Sequence, residues 1–323
     1  MQATTQRAIV DSILNTEGEI VIACHRNPDG DTLGAGLAIC LWLKAAGRAA
    51  RVYCANAVPG LYGFLPGAKQ VSAEITDCQL LIAVDTASPE LLGPDAEKLL
   101  AQAARVINID HHFTNTRYGQ ENFVFDTAAS TAEAVAEALL ATNQTITEDI
   151  ADCLYTGIVT DTGRFGFDYT RPQSLRLAAE LMERGAHFEQ ICSRIFRQRT
   201  LSKTRLLAQA LTNLRLYGGG SVVLMAVSLA ELAACGSSAD EAENIVNYAV
   251  EIEGAEIGIL LRETPSGKVK GSLRASGQVD VSALAGRFGG GGHKKAAGCT
   301  LEGPMELAEK QLAEAALAAL EAL

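Results

Sequence analysis

Four short apolar runs in the first half of the chain, at 19–24, 50–54, 80–84 and 106–109, have strand length and are rich in Val and Ile. They alternate with helix-length segments at 32–46 and 131–142. Such alternation predicts a parallel sheet covered by helices. Three of the four runs are followed at once by acids or histidines: HRNPDGD at 25–31, VDT ending the third run, and DHH at 110–112. In an open parallel sheet, ligands bind in the crevice beyond the carboxyl ends of the strands. His25, Asp29, Asp31, Asp85, Asp110, His111 and His112 are therefore expected to converge although they are far apart in sequence. Asp161, in GIVTDTGRF after the strongly apolar helical stretch 152–159, is a further contribution to the same crevice.

Each piece alone has an ordinary explanation. Asp29-Gly30-Asp31 reads as an Asx turn capping the next helix, Asp85-Thr86 as a strand-end cap, and a single histidine as a structural one. Together these explanations fail, because four carboxylates sharing a crevice without a cation repel, and each must raise its pKa or leave. Hard oxygen donors mixed with imidazole favour Mn²⁺ or Mg²⁺, and Mn²⁺ first, since Mg²⁺ seldom takes nitrogen. Two ions about 3.5–4 Å apart, bridged by one carboxylate, suit in-line attack on phosphorus.

The length of 323 residues suits two domains. Helices are expected at 148–159, 174–184 and 188–196. The polar, basic RQRTLSKTR at 197–205 follows, read as a solvated linker or helix face, with a role in admitting nucleic acid as the alternative. The boundaries are thus 1–196, a linker at 197–206, and 207–323. In the second part, strands are expected at 211–217, 221–226, 256–262 and 269–274, and a helix at 240–250. The loop GRFGGGGHKKAAG at 286–298 and a helix at 305–323 complete it.

HRNPDGD, VDT, DHH, TDTGRF and the distal GGGGHKKAAG, in that order across nearly the whole chain, resemble the DHH phosphoesterases that carry a DHHA1 domain. The resemblance implies an α/β protein of two domains, an N-terminal parallel-sheet DHH domain and a smaller C-terminal α/β DHHA1 domain, with the active site in the cleft between them. It also implies the ligand sets: His25, Asp29 and Asp85 for one metal, and Asp31, Asp85, His111 and Asp161 for the other, with Asp85 bridging. His112 would contact the scissile phosphate or assist the leaving group, and Asp110 would orient a neighbour. The implied cofactor is a pair of Mn²⁺ ions, with Mg²⁺ or Co²⁺ as substitutes. The implied reaction is hydrolysis of very short oligoribonucleotides to nucleoside monophosphates, and of small nucleotides such as 3′-phosphoadenosine-5′-phosphate. Cyclic or linear dinucleotide hydrolysis is an alternative on the same residues. A manganese pyrophosphatase resembles the first domain only, and a non-catalytic nucleotide sensor has no need of a complete ligand set. Ser often follows the Gly after the metal-binding triad in this family, where this chain has Gly34-Ala35. Ser also often follows the Arg of the SLR strand, where it has Arg274-Ala275.

Four carboxylates and two divalent ions nearly cancel, so substrate phosphates beyond the scissile one need positive partners elsewhere. Arg262, Arg274, His293, Lys294 and Lys295 are the candidates, with Gly290, Gly291 and Gly292 in a run that lets backbone N–H groups approach an anion. The alternative is a flexible turn before a helix, but four successive glycines cost much conformational entropy, and His-Lys-Lys directly after them points to a bound anion.

A net charge of −11 argues against binding long duplex DNA, which needs a basic face, but leaves room for a small anionic substrate. The eight cysteines form no CxxC pair or zinc spacing and read as reduced, buried side chains. No apolar run is long enough to span a bilayer, and the N-terminal stretch lacks a signal pattern, so a cytoplasmic location without membrane association is expected. A homodimer is one candidate assembly, which the sequence does not decide.

Overall fold

The computed structural model describes residues 2–242 and 244–322, with the side chains of 2–5 and 293 outside what is described. The chain forms two compact units, Met1–Gln198 and Arg199–Leu323.

The first unit runs α1 (Gln2–Leu14), β1 (Ile20–Ala23), α2 (Gly30–Ala45), β2 (Ala50–Tyr53), β3 (Leu80–Val84), α3 (Ala96–Ala101), β4 (Val106–Asp110) and β5 (Glu121–Val124). It continues through α4 (Thr131–Ala141), α5 (Glu148–Asp161), α6 (Pro172–Glu183) and α7 (Phe188–Cys192). All five strands are parallel, in the order β2-β1-β3-β4-β5. β1, β3 and β4 are buried on both faces, which is why they read as unbroken apolar runs. Alternate residues divide between two cores. Ile20, Ile22, Ile82 and Ile107 pack under α1, α2, α4 and α5, whereas Val21, Ala23, Leu81 and Val106 face Ala96 and Leu99 of α3.

The order reverses between β1 and β3. The chain leaves β1 toward β2 on one side and returns to β3 on the other, so the connections diverge and open a crevice beyond the ends of those two strands. The helices that follow are held close by small residues. A Cβ on Gly34 of α2 would stand 2.4 Å from the Cys153 carbonyl of α5, and one on Gly157 would stand 2.9 Å from the Asp31 carboxylate. Both glycines let α5 approach α2 near the crevice.

The second unit comprises α8 (Leu201–Thr212), β6 (Arg215–Tyr217), β7 (Val222–Val227), α9 (Leu229–Cys235), α10 (Asn247–Val250), β8 (Ile257–Glu263) and β9 (Lys268–Ala275). It ends with α11 (Val281–Gly286), β10 (Gly291–His293), β11 (Ala296–Glu302) and α12 (Met305–Glu321). Its mixed sheet has the order β10-β11-β9-β8-β7-β6, with only β7 and β8 parallel. Val222, Leu224 and Ile259 meet α12 through Ala308 and Leu312. Val223, Met225 and Leu260 meet Leu206 and Ala210 of α8 and Ala249 of α10.

Four expectations are corrected here. The stretch 201–206, placed in the linker at 197–206 although also read as a helix face, and 211–212, read as strand, belong to α8. Thr200 caps that helix by accepting from the Lys203 amide at 3.0 Å, and Leu206 and Ala210, four apart, are buried on one face. The helix expected over 188–196 ends at Cys192 and continues as a π-helical turn, Ser193–Arg197. The helix expected over 240–250 is broken, with Asn244 at φ +65°; its Glu243, like Leu323 at the end of the 305–323 helix, lies outside the described residues. The glycine run expected as a loop is partly a hairpin strand. A Cβ on Gly290 would stand 2.2 Å from the Gly298 carbonyl and one on Gly292 would stand 2.5 Å from the Ala296 carbonyl, so these glycines let β10 lie against β11. Among the described residues no helix is long and apolar enough to cross a membrane.

Candidate metal centre

Each acid of the crevice is aimed by the element that carries it. Asp29 is the N-cap of α2, its Oδ1 accepting from the amides of Asp31 at 3.0 Å and Thr32 at 3.1 Å. Capping is thus one of its roles, as the Asx-turn reading expects, and the same side chain stands 3.6 Å from His25 Nε2. Asp31, in the first turn of α2, is buried and meets a second helix end: the amides of Thr131 and Ala132, opening α4, donate to its two oxygens at 2.7 and 2.8 Å. Orphan N–H groups at the start of α4 thus fix where that carboxyl points.

Asp85 follows β3 directly and has φ +57°, a left-handed conformation that is uncommon for a side chain larger than glycine. The turn aims the carboxylate into the crevice, where Oδ1 accepts from Thr131 Oγ1 at 2.9 Å. All three imidazoles surround it: His25 Nε2 at 3.6 Å, His111 Nε2 at 3.6 Å and His112 Nδ1 at 3.7 Å. Strained backbone of this kind persists only where neighbours over-determine it, and here β4 does so, with the Asp85 amide donating to the Ile109 carbonyl at 2.9 Å.

The two histidines after β4 are oriented differently. His111 Nδ1 lies 3.3 Å from the Ala128 carbonyl, which can only accept, so the proton sits on Nδ1 and Nε2 faces the acids. That Nε2 is 3.4 Å from Asp161 Oδ2 and 4.0 Å from Asp31 Oδ2. His112 Nδ1 is instead 2.8 Å from Asp110 Oδ1. Asp110 is fully buried, and its other oxygen accepts from Asn115 Nδ2 at 2.6 Å, which also donates to Asn108 Oδ1 at 2.7 Å. Asp110 therefore acts on His112 rather than on the crevice.

Three sets of donors lie within 4.8 Å of one another: His25, Asp29 and Asp85; Asp31, His111 and Asp161; and Asp85, His111 and His112. A cation bound at about 2.1 Å to two donors keeps them about 3–4.2 Å apart, the spacing seen here. Asp161 Oδ2 adds a second sign of fit, for it is buried with no hydrogen-bond partner. Oxygen and imidazole donors with one orphaned carboxylate oxygen match a divalent cation.

The electrostatics agree. Burial, then repulsion by Asp85 and Asp161, pushes Asp31 well above the usual carboxylate range, and burial with repulsion by Asp85 and Asp29 does the same to Asp161. Burial also works against an ionised Asp85, but His25 and His111 outweigh it and hold that carboxyl below its ordinary value. Burial opposes charge on His25, yet Asp29 and Asp85 raise it to about 10. His112 is likewise raised to about 9 by Asp110 and Asp85. Protons and divalent cations compete for these lone pairs.

Sequence reasoning did not single out Thr131, whose amide and hydroxyl touch two of the acids, or Asn115. The signal for Thr131 was the Ser130-Thr131 start of a helix, whose Ser130 caps the Glu133 amide at 3.0 Å. Tyr169 was also missed; its hydroxyl donates to the Asp161 carbonyl at 2.8 Å.

In the second unit, Arg274 on β9 is opposite Ala296 on β11, and Ala296 is opposite His293 on β10, so these positions share one register line. Lys294 is exposed in the turn beside them. Lys295 Nζ is engaged by the Ser276 and Gly277 carbonyls. Arg262 does not join the line: Arg274 is opposite Gly258 on β8, four residues from Arg262, or about 13 Å along the strand.

Residues 19–158 match the DHH family, N-terminal domain, and residues 222–323 match the DHHA1 domain. The chain is similar to a bifunctional oligoribonuclease and PAP phosphatase NrnA from Thermus thermophilus, with 35% identity over 92% of this chain and 88% of that protein. It is also similar to the protein of the same name from Bacillus subtilis, with 25% identity over 87% of this chain and 89% of that one. Among solved structures, an exopolyphosphatase-related protein from Bacteroides fragilis shares the fold at a TM-score of 0.90, with 24% identity and 96% of each chain covered.

Proposed function

The chain belongs to the DHH family and carries a DHHA1 domain, and from that premise we propose that it is a two-metal phosphoesterase. Its substrates are very short oligoribonucleotides, cut to nucleoside monophosphates, and 3′-phosphoadenosine-5′-phosphate, cut to AMP. The observation that carries the reading is the position of Asp85, 3.6 Å from both His25 Nε2 and His111 Nε2, between the His25–Asp29 pair and the Asp31–His111–Asp161 set. The names of the Thermus and Bacillus relatives supply the substrate class.

In this reading His25, Asp29 and Asp85 hold one ion, and Asp31, Asp85, His111 and Asp161 hold the other. Imidazole in both sets favours Mn²⁺ over Mg²⁺. When bound, the ions supply Lewis acidity toward phosphate oxygens and water. The protein's own contribution is placement. The first turn of α4 fixes Asp31 and Asp85, and Asp110 orients His112 through Nδ1, leaving its Nε2 for a phosphate or leaving oxygen. Arg274, His293 and Lys294, with the backbone of Gly290, Gly291 and Gly292, recognise the part of the substrate away from the reacting phosphate, and Arg262 acts at a separate point.

The test is product analysis with Mn²⁺, and with chelator, on di- to decaribonucleotides, 3′-phosphoadenosine-5′-phosphate, cyclic dinucleotides and pyrophosphate. Release of monophosphates from di- to pentanucleotides, abolished by chelation, is expected. Preference for a cyclic dinucleotide, or turnover without metal, overturns the proposal.

A further inference from the structure

The stretch 194–205 carries five cations and no acid in a chain of net charge −11, and the metal centre uses none of them. Its start overlaps the π-helical turn Ser193–Arg197, a departure from α geometry that recurs at functional sites. Beside it, within the first unit, lies a cavity of about 830 Å³ lined in part by Phe64, Lys69, Gln70, Arg194 and Gln198. None of its lining residues is acidic and none belongs to the metal centre. Its volume falls in the range that takes a small organic ligand, about 300–1,000 Å³.

The lining pairs charge with flat aromatic surface. The Arg194 guanidinium lies 5.2 Å from the centre of the Phe64 ring. Stacked arginine and aromatic faces receive nucleobases irrespective of sequence, while the remaining guanidinium edge and a lysine receive phosphate. A line of contacts also ties this pocket to the chemistry: Arg164, three residues past Asp161, lies 5.3 Å over the ring of Phe196 in the same π-helical turn. Gly163, Arg164 and Phe165 all have positive φ, so the chain turns sharply between Asp161 and the arginine that meets that ring.

We propose that this pocket is an accessory nucleotide site, with the base against Phe64 and Arg194 and the phosphate on Arg194 and Lys69. The nucleotide class rests on the function proposed above. Two sources share this chemistry: a free nucleoside monophosphate, and a nucleotide of an RNA fragment remote from its reacting end.

Arg194 and Lys69 are exposed, so Arg194→Glu and Lys69→Glu are expected to fold, which thermal melting checks. With metal chelated, binding of AMP is followed by ligand-detected NMR and binding of a labelled pentaribonucleotide by fluorescence anisotropy. Each reversal is expected to weaken binding in at least one arm by about tenfold or more, the effect of losing a charge-assisted contact. Loss in the AMP arm assigns the site to free nucleotides, and loss in the pentanucleotide arm alone assigns it to remote RNA. Wild-type affinity in both arms for both variants overturns the pocket, as does an unmodified protein that binds neither ligand. The two readings fail separately. A protein that binds nucleotide here but hydrolyses none refutes the function alone, whereas one that hydrolyses RNA while both variants bind normally refutes the pocket alone.

Discussion

Glu133, fully buried in the first turn of α4, has its carboxylate held by the Arg171 guanidinium and the Ser174 hydroxyl at the start of α6. The pair fastens two parts of the crevice together. The turn that carries Glu133 delivers the Thr131 and Ala132 amides to Asp31 and the Thr131 hydroxyl to Asp85, while Arg171 ends the segment that leads away from Asp161. Removing one partner of a buried pair strands the other charge. Because Arg171 is 29% exposed, Arg171→Ala is expected to cost about 3 kcal/mol, the lower end for such pairs. It should also weaken Mn²⁺ binding, with Arg171→Lys recovering part of both. Urea unfolding and a Mn²⁺ titration followed by electron paramagnetic resonance measure the two effects. Arg171→Ala with unchanged metal affinity would show that the pair serves folding alone.

Asp85 and His112 should separate metal binding from turnover. Asp85→Ala removes the carboxylate that lies 3.6 Å from both His25 and His111 and is expected to be the worst single ligand change, losing about 10³-fold or more in kcat/KM, or about 4 kcal/mol. Metal content measured by mass spectrometry should fall with it. His112→Ala should keep its metal yet slow turnover by about 10²- to 10⁴-fold, the range for a positioned proton donor. An ion lost from the His112 variant would make that residue a ligand, and near-normal activity of Asp85→Ala would end the two-ion reading.

The raised pKa values set the sign of the pH response. With His25 raised to about 10 from an unfolded value of about 6.5, its contribution to the chelated protein is full below the unfolded value and lost as pH rises through the folded one. Asp31 and Asp161, also raised, favour their protonated forms and so lose stability in the same direction. Asp85, depressed, acts oppositely, its contribution disappearing only as pH falls below the ordinary carboxylate range. If His25, Asp31 and Asp161 hold the ions as proposed, metal binding must displace their protons. The rise in Tm on adding Mn²⁺ is therefore expected to grow from pH 6 to pH 8.5, and calorimetry in buffers of different ionisation heat should detect proton release. A Tm shift independent of pH would mean that these groups are not displaced from protons by metal.

The crevice was legible because parallel strands buried on both faces leave an unmistakable apolar run, and the residue after each run is fixed at the strand's end. His25, Asp85 and Asp110 needed no more than that. What was not legible depended on partners distant in sequence. β5 reads ENFV, half-buried at the sheet edge, with too little apolar character to announce a strand. The grip of Thr131 on Asp31 and Asp85 spans 100 and 46 positions and leaves only an ordinary helix cap in the sequence. The glycine run has a second explanation that the sequence did not suggest. Entropy argued for an anion behind its glycines, whereas at Gly290 and Gly292 the close approach of β11 already requires them.

That second explanation sharpens the test of substrate length. If the glycines of β10 serve the hairpin, recognition beyond the reacting phosphate falls to side chains on its register line, Arg274 and His293. Arg274→Ala and His293→Ala should then cost di- and trinucleotides, and 3′-phosphoadenosine-5′-phosphate, about 1–3 kcal/mol in kcat/KM, the scale of a lost charge-assisted contact. A chromogenic phosphodiester with no second phosphate has nothing for these residues to hold and should lose much less. Arg262→Ala, about 13 Å along the sheet from the Arg274 register, should not reproduce the pattern, because one small substrate phosphate cannot meet both arginines. Steady-state kinetics with both substrate types on all three variants decides it. Equal losses on the two substrates would place Arg274 and His293 in the service of the fold or the chemistry, and would leave the second unit without a part in selecting short fragments.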